Sequence, residues 1–236
     1  SLVSAMVGSL EKDRVRTYLI LFVHFLIVTG IVAIYYFNDG DVSKLLLIDD
    51  GYVDSSTKLW YGESIKGRFG PMLALIYLPI NIFSDGAMAL SRLCISLLFS
   101  MGVILLTKNL LQRYLSARTV FFGLSLLILN PSYVHWVIKS APEIFISFFL
   151  LLFIINFIGY LQNRRNTLLF FSCFSLCVII FIKPVVLLVP LGIYTIALIN
   201  RDIRMFLVTT LVLLFVVISF SAYNNITRIT ETTAAE

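Results

Sequence analysis

The chain has 236 residues, of which 59% are hydrophobic and 13% charged, and its net charge is +5. A mean hydropathy of +0.97 lies far above that of soluble domains and excludes a soluble globular fold. The 18 Lys and Arg fall in twos and threes between apolar runs instead of along one stripe, which fits positive-inside topology and argues against nucleic acid as a partner. The composition predicts an all-α polytopic membrane protein forming a single membrane domain over 1–236.

Residues 17–37 form the first apolar run, long enough for the roughly 20 residues that cross about 30 Å of hydrocarbon. The run is too long for a signal-peptide core and has no small-residue cleavage site behind it, so it reads as a retained span. Residues 38–87 follow as a long, acidic first loop. Within it, the run from Pro71 to Ser84 is apolar but only 14 residues long, and Pro71 and Pro79 interrupt it. That suits an interfacial or re-entrant helix better than a crossing. Three more spans are expected at 88–107, 119–138 and 143–161. The stretch 167–199 would be about 50 Å long as one helix, too long for a bilayer unless strongly tilted. Lys183-Pro184 sits near its middle, where the ring removes a donor and biases the preceding residue away from helix. The stretch is therefore divided into 167–182 and 184–200, and 205–222 completes seven spans.

Charge counting tests whether Pro71–Ser84 crosses. If it does not, Lys12, Arg14, Arg16, Lys108, Arg113, Arg118, Arg164, Arg165, Arg201 and Arg204 share one side with three acidic residues, Glu11, Asp13 and Asp202. The other ten of the 13 acidic residues fall on the opposite side. The basic side is then cytoplasmic, with the N-terminus inside, the C-terminus outside and the 38–87 loop external. A crossing at Pro71–Ser84 would put every later basic loop outside.

The external loop contains Leu45-Leu46-Leu47-Ile48-Asp49-Asp50-Gly51-Tyr52, then Lys66-Gly67-Arg68-Phe69-Gly70-Pro71. Adjacent carboxylates beside an apolar quartet sit near the membrane surface, where desolvation and mutual repulsion raise one pKa, as a general base or metal ligand requires. Turn chemistry explains Asp-Asp-Gly equally well. Lys183 lies deep in an apolar run, where a cation costs about 2.5–3.5 kcal/mol on insertion scales and invites a functional role; snorkelling is its simpler reading. Arg92 opens a span near Asp85, either as a structural ion pair or as a phosphate ligand. Lys66 and Arg68 read as headgroup contacts or phosphate ligands. Glu143 follows Pro142, where a carboxylate complements the helix dipole or binds an acceptor. His135 and Trp136 flank the same external turn, Trp136 as a member of the interfacial aromatic belt. His24 lies mid-span with no partner nearby in sequence and is assigned to helix packing. Cys94, Cys173 and Cys177 lie in apolar runs and give no disulfide framework. Asn225-Ile226-Thr227 is a formal sequon on the external side, a tripeptide common by chance.

The order of these features resembles the GT-C superfamily of membrane glycosyltransferases: a first span, an acidic Asp-Asp-x-Tyr loop and an apolar helix led by Gly70-Pro71. Arg92 then opens the second span, Asn130-Pro131 closes the third, Ala-Pro-Glu143 opens the fourth and Lys183-Pro184 follows the fifth. More closely, it is similar to the branch of protein O-mannosyltransferases and aminoarabinose transferases, over roughly residues 15–205. That resemblance implies a polyprenyl-phosphate-linked sugar as donor and a glycan, lipid or protein as acceptor, with membrane lipids around the chain. Asp49 is then the catalytic base and Asp50 the second choice, since the family often has Asp-Glu where this chain has Asp-Asp. Lys183, Arg92, Lys66 and Arg68 become donor-phosphate ligands, and Glu143, Tyr52 and His135 substrate ligands. No cofactor is certain; a divalent cation, if one takes part, has Asp49 and Asp50 as ligands. Family members usually run longer, so the 236 residues correspond to the shared seven-span module. The implied location is the bacterial inner membrane, with the endoplasmic reticulum as the alternative. Outside that family, a lipid-sugar flippase or a non-catalytic scaffold is the rival reading.

Overall fold

The computed structural model describes residues 2–38, 76 and 85–182, and beyond them isolated helical positions between 192 and 218. Among the described residues, all regular structure is helical: α1 (Leu2–Phe37), α2 (Asp85–Leu111), α3 (Ala117–Leu129), α4 (Pro131–Ile138), α5 (Pro142–Asn163) and α6 (Asn166–Ile182). Three stretches are long and apolar enough to cross a membrane: Lys12–Phe37, Ser91–Leu111 and Pro142–Asn163, with α3 plus α4 as a fourth if the bent pair counts as one span. The described residues thus form an all-helical structure whose long apolar helices suggest a membrane protein.

The chain divides into two compact units, one of residues 1–48 and 85–151, the other of 49–84 and 152–236. In the first unit α1 buries Thr17, Ile20, His24 and Val28, a stripe at helical spacing, while Tyr18, Leu19, Phe22 and Leu26 stay exposed. Apolar exposure on this scale would be a liability in water but is the expected surface of a helix bathed in lipid. The buried stripe meets α2, whose inward face repeats Leu93, Ser96, Leu97, Ser100, Val103 and Ile104. Serines at that spacing let the two backbones approach, as small residues do in membrane helix pairs.

Contacts along α1 and α2 run in opposite directions. Asp13 pairs with Lys108 at 2.7 Å, His24 meets Ser100, and Val28 shares a core cluster with Leu93 and Leu97. The helices are antiparallel, so Asn38 at the end of α1 and Asp85 at the start of α2 lie at the same end of the pair. Lys12 and Gln112 lie at the other end; Gln112 Nε2 donates to both carboxylate oxygens of Asp13 at 3.1 Å. Single cysteines at Lys12 and Gln112, in a background lacking Cys94, Cys173 and Cys177, should be labelled by an impermeant thiol reagent from one side, and one at Asn38 from the other. Labelling of Asn38 and Gln112 from the same side would break this order.

The span expected over 119–138 is two helices, and Pro131 is the reason. A residue preceding Pro is driven out of the α region, and Asn130 has φ −68° and ψ 116°. Pro131 then takes the first helical position of α4, where its missing N–H costs nothing. Asn130 caps the new helix, its Oδ1 accepting from the N–H groups of Ser132 (2.9 Å) and Tyr133 (3.4 Å). The axes bend by 59°. α4 nevertheless keeps advancing: Tyr133 donates its hydroxyl to the Ser100 carbonyl at 2.9 Å, and one turn on Ser96 donates to the Val137 carbonyl at 2.7 Å. Both α3 and α4 therefore run antiparallel to α2, as a broken span rather than a re-entrant hairpin. α5 turns back, packing Ile144 beside Leu93 and Phe148 beside Gly102.

In the second unit, Tyr160 and Leu169 are buried and Ser172 donates to the Phe153 carbonyl at 3.5 Å, tying the end of α5 to α6. The turn between them places Arg164 at φ 55°, its N–H donating to the Tyr160 carbonyl at 2.7 Å in the left-handed helix-ending motif, while its guanidinium lies 5.6 Å from the Tyr160 ring. α6 is apolar but, over its described residues Asn166–Ile182, shorter than the helices that are long enough to cross a membrane. The spans at 184–200 and 205–222 and the short helix within 38–87 lie outside the described residues except for isolated helical positions.

Candidate functional site

Asp49, Asp50, Tyr52, Lys66, Arg68 and Lys183 lie outside the described residues. Arg92, His135 and Glu143 lie within them and belong to the part of the first unit built around the α4–α5 turn. Arg92 is 7% exposed and stands one turn from Ser96 on the same face of α2. Ser96 holds the end of α4 through the Val137 carbonyl, so Arg92 rises along α2 beside the turn. Glu143 occupies the first turn of α5, partly buried, immediately after that turn. His135 is exposed on α4, and Trp136 beside it is exposed as well.

The turn itself is closed by backbone geometry. Lys139 N–H donates to the His135 carbonyl (2.9 Å), Ser140 N–H to Val137 (3.1 Å) and Ala141 N–H to Trp136 (2.9 Å). The last two are the paired bonds of a Schellman motif, which needs a left-handed residue at the position Ser140 holds, and its φ is 51°. Glycine is the usual occupant; a serine there costs about 1–2 kcal/mol. Measured along α2 at 1.5 Å per residue, the Ser96 anchor is about 18 Å from Lys108 and about 17 Å from Asp85. Arg92 itself is about 10 Å along α2 from Asp85 and about 24 Å from Lys108, so Lys139, Ser140 and Glu143 gather with it nearer the end where Asn38 and Asp85 lie. Arg92 and Glu143 are each the second residue of an apolar stretch, Ser91–Leu111 and Pro142–Asn163, so these polar groups stand at the ends of candidate spans.

Below this turn is a buried polar cluster that sequence reasoning did not find. His24 is 0% exposed, its Nε2 lies 2.9 Å from Ser100 Oγ, and its ring stands 5.6 Å from the Tyr133 ring. Ser100 gives its one hydroxyl proton to the Leu97 carbonyl at 2.8 Å, so Nε2 must carry the proton shared with Ser100 and Nδ1 is the bare nitrogen. Nδ1 has no hydrogen-bond partner among the described residues. A signal was present: residues 92, 96 and 100 form a polar ladder at four-residue spacing on a helix otherwise apolar on that face.

Among the described residues, no group of three His, Cys, Asp or Glu could hold a metal ion. Cys94, Cys173 and Cys177 are free thiols. Comparison of the chain with known protein families, with curated proteins and with solved structures finds no match.

Proposed function

We propose that this chain is a GT-C-type membrane glycosyltransferase module, which moves a sugar from a polyprenyl-phosphate donor to an acceptor at the external face. The observation that carries the reading is the antiparallel pairing of α1 and α2. It sets the ends flanking the acidic 39–84 segment at one end of the pair, opposite the basic end where Lys12, Lys108 and Gln112 lie. That is the placement expected if Pro71–Ser84 does not cross and the Asp49-Asp50 pair stands outside. The placement of Arg92 and Glu143 toward that same end supports it further, since a lipid-linked phosphate is met at the edge of the hydrocarbon.

Transfer then proceeds with inversion. The Asp49 carboxylate takes the proton of the acceptor hydroxyl or amine, whose oxygen or nitrogen forms the new bond to the anomeric carbon. The bond from that carbon to the phosphate oxygen breaks, and polyprenyl phosphate leaves with the electron pair, its charge balanced by Lys183. One observation favours the rival reading of a lipid-sugar flippase: an ionisable residue at mid-depth, His24, as transport pathways require. A proteoliposome assay following both transbilayer movement and transfer of a labelled polyprenyl-phosphate sugar separates the two.

The direct test is the lipid itself. Chain purified with its native lipids should carry a polyprenyl phosphate identifiable by mass spectrometry, and Lys183→Met should lose most of it while inserting and extracting normally. Lys183→Arg should restore binding only in part, because a planar fork does not replace a point charge. Unchanged occupancy in the Met variant would return Lys183 to snorkelling, and absence of any polyprenyl phosphate would count against the donor assignment.

A further inference from the structure

One face of the first unit is left without partners. α4 is amphipathic: Tyr133, Val134, Val137 and Ile138 are buried, while Ser132, His135 and Trp136 share the opposite side at spacings of three and four residues and stay exposed, Trp136 by 38%. The side chains of these three make no hydrogen bond or ring contact among the described residues. Their depth makes that costly. The two bonds tying α4 to α2 land on Ser96 and Ser100, about 8 and 14 Å along the axis from Ser91, where the apolar stretch Ser91–Leu111 begins. Inside hydrocarbon a hydrogen-bonding side chain needs a protein partner or a water-lined cavity. An interfacial aromatic belt accounts for a tryptophan among headgroups, not for a serine and a histidine sharing its face further in.

We infer that this face of α4 is a saccharide-binding platform, on which a sugar ring stacks against Trp136 while Ser132 and His135 hydrogen-bond its hydroxyls. Chemical complementarity selects this occupant. A serine hydroxyl and a neutral imidazole each donate and accept, as the hydroxyls of a sugar do, and an indole offers a flat apolar surface to ring C–H groups together with one N–H donor. None of the three side chains carries a fixed charge to select an anion, and among the described residues no group of three ligands could hold a metal ion. A lipid chain would leave the polar groups unsatisfied. As a seat for the sugar of the lipid-linked donor the platform rests on the proposed transfer, but saccharide binding is read without it.

The test uses the intact chain carrying Trp60→Phe, which leaves Trp136 as its one tryptophan. Extracted in a sugar-free zwitterionic detergent, it is titrated with hexyl β-glucoside, hexyl β-galactoside or, as a sugar-free control, hexyl triethylene glycol. Trp136 emission should change saturably with at least one glycoside and not with the glycol. Ser132→Ala and His135→Ala should each weaken that binding about fivefold, the loss of one neutral hydrogen bond. Ser125→Ala, whose hydroxyl is already given to the Phe121 carbonyl at 2.9 Å, should leave it unchanged within twofold. Because Ser132 and His135 are exposed, their replacement should not move thermal unfolding, which separates lost binding from lost fold. Equal responses to glycosides and glycol, or equal losses in all three variants, would overturn the platform. In bilayers, acrylamide should quench Trp136 and lipids brominated in their acyl chains should not; strong quenching by the brominated lipids would put the face in lipid and overturn it as well. A chain that carries polyprenyl phosphate but ignores the glycosides would lose the platform and keep the transferase reading, and the opposite pair of results would do the reverse.

Discussion

Replacing Asp49 with Asn should lower sugar transfer by about 10²–10⁴-fold, the usual contribution of a general base, while donor binding is retained. The amide keeps the size of the side chain and much of its hydrogen bonding but cannot accept a proton. Only one of two neighbouring carboxylates can be the base, and the family resemblance assigns that role to the first. Asp50→Asn should therefore be milder, unless the pair holds a divalent cation. In that case both variants lose activity and the unmutated chain depends on added metal. The measurement is turnover of a labelled polyprenyl-phosphate sugar, with donor occupancy determined on the same samples. Full turnover by the double Asn variant would remove the base from this loop altogether.

Gly102→Leu should destabilise the first unit markedly. Gly102 on α2 faces Phe148 on α5, and a Cβ there would stand 2.5 Å from Phe148 Cε2 and 2.8 Å from Cδ2. The ring has little freedom to withdraw. It meets Phe99 edge-on at 4.9 Å and Phe149 at 5.3 Å, while Phe99 is itself held against Phe145 at 4.7 Å. Forcing a side chain into packing of this kind costs about 1–3 kcal/mol, and more when helices must separate. At roughly 2–4 °C per kcal/mol for a chain of this size, the midpoint of thermal unfolding in detergent should fall by several degrees. A Gly102→Leu, Phe148→Ala pair should recover part of the loss, because the two positions compete for one volume. An unchanged midpoint in the single variant would mean that α2 and α5 are not in contact there.

Much of the helical framework was legible because its causes are local. Apolar length marks 17–37, 88–107 and 143–161, and the described helices contain each of them, α1 and α2 extended by about a turn or more into flanking residues and α5 by only one or two residues at each end. Pro131 and the capping amide of Asn130 make a break that is written in two adjacent letters. Even so, a hydropathy window spans them as one run, because it weighs composition and ignores backbone sterics. Of the candidate site, Arg92 and Glu143 were recognisable one by one as charged residues at span ends.

Their gathering around the α4–α5 turn was not recognisable, since it depends on how far α4 advances along α2 after a 59° bend, and no local pattern encodes that distance. His24 illustrates the same limit. From sequence it is a lone polar residue in a lipid-facing run, whereas the fold buries it completely against Ser100, 76 residues away, with Tyr133 closing the cluster. The sequence by itself determined which described stretches are long and apolar enough to cross a bilayer and which ends carry the basic charge, because these follow from the transfer energies and charges of neighbouring residues. Only the tertiary structure decided which helix faces meet, and so which polar side chain finds a partner and which glycine must remain bare, because those contacts join residues far apart in sequence and are selected by the packing of the whole bundle.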